Sequence, residues 1–163
     1  YDFGRVSDIE RTVLYGIRAG LGKSHNVTDM PGLGRQRAIS RDEIEDVIAY
    51  TYSLGQHRLN EREADPAAAA RGEKIFQDKG VCYDCHGRDG TGISDYGAPD
   101  LTDGDWLYGG DEKTLYASIY DGRHGVCPYW IGKLSFPVIR AIAVYLHSMS
   151  GESPASPNRT AAN

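Results

Sequence analysis

The chain has 163 residues, 40% of them hydrophobic and 25% charged, with a formal net charge of −5. That balance describes a folding, soluble chain rather than a disordered one, and the acidic excess excludes nucleic acid as an expected partner. Three cysteines, Cys82, Cys85 and Cys127, are too few and odd in number for a disulfide framework, so each is read by its position. Gly 20 and Pro 7 together make about one residue in six, which predicts short helices joined by many loops.

The chain opens at Tyr1 without a charged-then-apolar leader, and any anchor or targeting segment is expected outside it. Ile9, Val13 and Gly16 form the first helical pattern, and Met30-Pro31 follows in a loop. Ser40 then precedes Arg41-Asp42-Glu43 as a capping box, flanked by an Ile39–Ile44 staple. Ile44, Val47, Ile48 and Thr51 share one face of the helix, which Gly55 ends. Residues 56–64 read as a charged linker. Asp65-Pro66 is a cap with proline at the first helical position, opening a helix that carries Gly72, Ile75 and Phe76. Gly72 and Phe76 are expected to cross closely against the Tyr145 face of the last helix. Ser135 caps that helix, where Ile139, Ile142, Tyr145, Leu146 and Met149 recur before Gly151. Its most apolar run, Phe136 to Leu146, is interrupted by Arg140 and is too short to span a bilayer. Residues 152–163 read as a mobile Ser/Pro/Asn tail.

These elements repeat. Ile9, Val13 and Gly16 correspond to Leu115, Ile119 and Gly122, Met30-Pro31 corresponds to Cys127-Pro128, and the capped helices then match. The first copy lacks room for the helix that opens the second. The expected organisation is therefore the C-terminal half of one module at 1–55, the linker at 56–64, a complete module at 65–151 and the tail.

Cys82-Tyr83-Asp84-Cys85-His86 is C-x-x-C-H, the attachment sequence for c-type haem. Two thiols three residues apart add to the two vinyl groups, and the adjacent histidine becomes the proximal iron ligand. A redox dithiol would follow a buried strand, and a zinc site would need a second ligand pair at short spacing; neither context is present. For the sixth iron position the second block offers Cys127, aligned with Met30 of the first block, and Met30 is the candidate axial ligand of a first haem. His124, Met149, an open position, or a merely packed Cys127 are the alternatives. His25 in a polar loop, His57 in the linker and His147 on the last helix read as solvated. Trp106 and Trp130 are candidate propionate contacts through their indole N–H, although packing is the plainer role. Between residues 84 and 112 stand eight acidic residues against the single base Arg88. This run is either a solvated surface or a steering patch for a basic redox partner.

The stretches Val81-Cys82-Tyr83-Asp84-Cys85-His86-Gly87-Arg88-Asp89-Gly90, Gly97-Ala98-Pro99-Asp100-Leu101-Thr102-Asp103-Gly104-Asp105-Trp106-Leu107-Tyr108-Gly109-Gly110 and Ile119-Tyr120-Asp121-Gly122-Arg123-His124-Gly125-Val126 resemble subunit III of cbb3-type cytochrome c oxidases. The similarity runs over about residues 5–151. It implies an all-α fold of tandem class I cytochrome c domains, the first incomplete here, with haem c as cofactor at one site, and the incomplete first domain either holds a second haem or has lost it. It further implies electron transfer from a donor cytochrome to the oxidase core, with the catalytic and mono-haem subunits as partners. The implied setting is the periplasmic side of a bacterial inner membrane, with an anchor outside this chain and oxygen reduction in another subunit. Two departures stand out: the first domain has no C-x-x-C-H, and Cys127 replaces the family's axial methionine. A free periplasmic electron carrier and a Cys-ligated haem enzyme or sensor are the competing readings.

Overall fold

A computed structural model describes residues 5–25, 27–55 and 65–149. The expected linker, with His57, and the expected tail lie outside these residues. The described residues are helical, with only isolated bridges and no strand among them: α1 (Val6–Tyr15), α2 (Arg41–Leu54), α3 (Pro66–Gln77), the single turn α4 (Tyr83–His86), a 3-10 turn at Ser94–Tyr96, α5 (Glu112–Asp121) and α6 (Phe136–Met149). The all-α expectation holds.

The helix boundaries follow local chemistry. Ser40 accepts the Glu43 amide at 3.3 Å while the Glu43 carboxylate accepts the Ser40 amide at 2.7 Å, so two orphan donors at the start of α2 are satisfied reciprocally. Asp65 accepts the Ala67 amide at 3.0 Å at the start of α3, and Pro66 takes the first position, where its missing N–H costs nothing. Asp111 caps α5 by accepting from Thr114.

The chain divides into two compact units that cut across the repeat. One comprises residues 1–26 and 126–163, and within it α1 packs on α6. Leu14, Ile139 and Ala143 are buried there, Arg140 pairs with Glu10 at 2.5 Å, and Ile17 and Cys127 exchange backbone hydrogen bonds of 2.9 and 3.0 Å. The exposed side of α6 carries Tyr145, Leu146 and Met149, against the packing role expected for them.

The other unit is residues 27–125, in which α2 packs on α3 and α5. Its core joins Leu33, Ile39, Ile44, Val47, Ile48, Tyr50, Phe76, Leu115 and Ile119. Burying a side chain such as Ile44 or Phe76 contributes about 1.5–3 kcal/mol each. Gly72 does make the close crossing expected of it, but its partner is α2: a β-carbon on Gly72 would stand 1.9 Å from the Asp46 carbonyl oxygen. Within this unit, then, the close crossing expected of Gly72 and Phe76 is made with α2. Tyr50 meets Phe76 edge-on at 5.2 Å, and Arg71 holds Asp46 through bonds of 2.8 and 2.6 Å. The physical reason is that α2 is the neighbour of α3 in sequence and presents an apolar face that buries Ile44, Val47, Ile48 and Thr51. Consecutive elements joined by a short connection commonly pack together.

Candidate functional site: the Cys82–His86 turn

Helix α3 ends as the Gly80 amide turns back to the Ile75 carbonyl at 2.7 Å and Val81 takes a left-handed φ of 46°. The chain then makes one helical turn, in which the amides of Cys85 and His86 bond the Cys82 carbonyl at 3.2 and 2.9 Å. Residues three and four apart on a helix lie over one another. The C-x-x-C-H spacing therefore stacks the two thiols and sets the histidine beside them. Gly87, at φ 74°, ends the turn by donating to the Tyr83 carbonyl.

The following loop returns beneath the turn. The Gly92 amide donates to the His86 carbonyl at 2.8 Å, and Leu101 donates to Gly90 at 2.7 Å. A β-carbon on Gly92 would stand 2.5 Å from the Ala98 carbonyl, so glycine permits this closure. Asp100 braces the return by accepting from the Thr102 amide and hydroxyl at 2.7 and 2.6 Å. The loop thus places the Pro99 carbonyl 3.0 Å from His86 Nδ1. A carbonyl can only accept, so Nδ1 carries the proton and Nε2 is left with the lone pair. A histidine that ligates a metal is held in this way, its other ring nitrogen donating to a carbonyl that fixes the tautomer and the ring orientation. Burial lowers the His86 pKa, with the Pro99 bond opposing, and the neutral imidazole is the ligating form.

The thiols argue against a redox dithiol. Burial, with a smaller push from Cys85, raises the Cys82 thiol to about 11. Burial and then Asp84 raise Cys85 as well. Attacking thiols of dithiol redox centres are shifted the other way. All three cysteines are free, and no three His, Cys, Asp or Glu side chains converge as a metal-ion set among the described residues. The donor set fits covalent haem: two unpaired thiols on one turn and an oriented imidazole. The Tyr116 hydroxyl, buried without a hydrogen-bond partner, is a further polar atom that a polar cofactor edge would satisfy.

Around the turn, Cys82, Tyr83, Leu101, Trp106, Tyr116 and Met30 pack against the core of the 27–125 unit. Gly110 makes room for Trp106, since a β-carbon there would stand 2.6 Å from the indole. Trp130 and Cys127 belong to the other unit, and the Cys127 sulfur lies 3.8 Å from the Pro128 carbonyl. His124 pairs with Asp29 at 2.7 Å. His25 is half-buried rather than solvated, and burial followed by Arg11 lowers its pKa. His147 is exposed, as expected. In the acidic run Asp89, Asp100, Asp103 and Asp111 each accept an amide two or three residues ahead, so half of the run serves as turn and cap residues. Sequence reasoning missed Pro99 and the Arg123–Met30 pairing. The Gly-Ala-Pro-Asp stretch was the available signal for the first.

Residues 67–146 match the family model described as cytochrome c oxidase, cbb3-type, subunit III. The chain is 42% identical over 148 residues to the cbb3-type cytochrome c oxidase subunit FixP of Bradyrhizobium diazoefficiens, covering 91% of this chain and 49% of that protein. It is 37% identical over 148 residues to subunit CcoP of Cereibacter sphaeroides, with the same shares. Subunit CcoP of Azospirillum brasilense is 38% identical over 154 residues, covering 91% of this chain and 50% of that protein. The chain spans about half the length of the curated relatives it matches.

Proposed function

We propose that the chain is an electron-transferring, haem-carrying portion of a cbb3-type cytochrome c oxidase subunit III, the family whose model residues 67–146 match and to whose members it is similar over 91% of its length. Cys82 and Cys85 tether one haem c, and His86 Nε2 ligates its iron. Bound haem supplies one-electron chemistry at iron. The chain's own residues do the rest. The α4 turn spaces the tethers, Pro99 orients the imidazole, and the core around Phe76, Leu101 and Trp106 supplies apolar cover that sets solvent access.

Electrons come from a donor cytochrome and pass to the catalytic subunit, where oxygen is reduced, so the other oxidase subunits are the partners. The setting is the periplasmic side of a bacterial inner membrane. No described helix is long and apolar enough to cross a membrane, and attachment through a segment outside the described residues is part of this proposal. The observation that carries the reading is the His86 Nδ1–Pro99 carbonyl bond on the turn that also carries the free cysteines Cys82 and Cys85. Stopped-flow mixing of the ferric, haem-loaded chain with a reduced small cytochrome c tests it. Rapid reduction, together with a ferrous form that does not bind carbon monoxide, is the expected result. Stoichiometric carbon monoxide binding without electron exchange would instead favour a haem enzyme or sensor.

A further inference from the structure

The backbone of Met30 exchanges both hydrogen bonds with Arg123, at 3.2 and 3.0 Å, at the end of α5. Gly122, at φ 78°, makes this closure feasible, because a β-carbon there would stand 2.4 Å from the Met30 carbonyl. Leu33 and Arg35 extend the clamp by donating to Ile119 and Tyr120, each at 3.0 Å. The Met30 loop is therefore fastened to the second repeat's helix, α5, ahead of α2, which packs on α3. Met30 itself packs against the core shared by Cys82, Tyr83, Leu101, Trp106 and Tyr116. All of these residues lie within the 27–125 unit, whereas Cys127 is fastened to Ile17 in the other.

We propose that the two repeats exchange their C-terminal halves, so that Met30 and α2 of the first copy complete the haem site of the second, and the Met30 thioether sulfur is the sixth ligand of the iron held by His86. This rests on the haem reading above. A thioether is a soft, neutral donor that raises the reduction potential, whereas a thiolate favours ferric iron. The exchange therefore sets the redox poise of the site as well as its ligand. Cys127, the residue that aligns with Met30, is relieved of ligation at this haem.

The test uses the full haem-loaded chain labelled with methyl-¹³C methionine, which marks only Met30 and Met149, since the sequence holds Met 2. In the ferrous protein one methyl signal should be displaced far upfield by the haem ring current and should persist in Met149→Leu, a substitution on an exposed position of α6. The sulfur-to-ferric-iron charge-transfer band should disappear in Met30→Leu, survive in Cys127→Ala, and leave the covalent haem content unchanged in both. Two unshifted methyl signals, or thiolate-type EPR lost only in Cys127→Ala, would overturn the exchange while leaving the haem reading intact. A chain without haem would overturn the haem reading itself.

Discussion

Gly72 on α3 meets the Asp46 carbonyl on α2 so closely that a β-carbon would stand 1.9 Å from the oxygen. The backbones cannot keep this crossing with any larger residue. Overpacking of this kind costs about 1–3 kcal/mol or more. Gly72→Ala should lower the unfolding free energy by that amount, read as a lower urea midpoint with the slope of the transition unchanged. An unaltered midpoint would mean that α3 does not cross α2 in this way.

The start of α2 makes a second, independent prediction. Ser40→Ala removes one half of the capping box and should cost about 1 kcal/mol. Glu43 also holds Lys79 at 2.7 Å, and that bond, followed by the Ser40 amide, keeps its carboxyl below the usual range. The Glu43 contribution is therefore present above the ordinary carboxylate pKa and is lost as pH falls through the depressed value. Acid titration of Glu43→Gln should show a shallower loss of stability in that window than the parent.

Tyr52 titrates on the alkaline side. Its hydroxyl donates to the Gly110 carbonyl at 3.0 Å, and burial, then Glu112 and Asp111, push its pKa up to about 12. A raised phenol pKa means that stability is intact below the ordinary value near 10 and declines as pH rises from there through about 12. Tyr52→Phe should flatten this alkaline decline and, at neutral pH, cost about 0.5–1.5 kcal/mol for the lost hydrogen bond.

The loop beneath His86 is sensitive at one glycine. Gly92 has φ 79° and faces the Ala98 carbonyl, so Gly92→Ala should impose about 1–3 kcal/mol of strain on the segment that presents Pro99. Covalent haem should be retained through Cys82 and Cys85, while the reduction potential shifts as His86 loses its orienting bond. A redox titration beside a pyridine haem count separates the two effects.

What could be read from the sequence was local. The Ser40 capping box and the Asp65-Pro66 start are set by residues within four positions of one another, and both appear as expected. What escaped was non-local. The sequence offers apolar helical patterns at both α2 and α6, and periodicity does not say which one packs on α3. The helical pattern on α6 was real, yet the structure buries Ile139 and Ala143 and leaves Tyr145 and Met149 exposed. The Pro99 carbonyl reaches His86 across 13 residues through a loop closed by glycines, a contact with no periodic signature.

Intact mass spectrometry with a reduced pyridine spectrum tests directly whether the chain carries haem covalently at the Cys82–His86 motif. Protein matured where haem c is attached should gain the mass of one haem per chain. It should lose that adduct in the Cys82→Ser/Cys85→Ser double variant and keep it in Cys127→Ser. An unmodified parent mass with all three thiols open to alkylation would contradict the account.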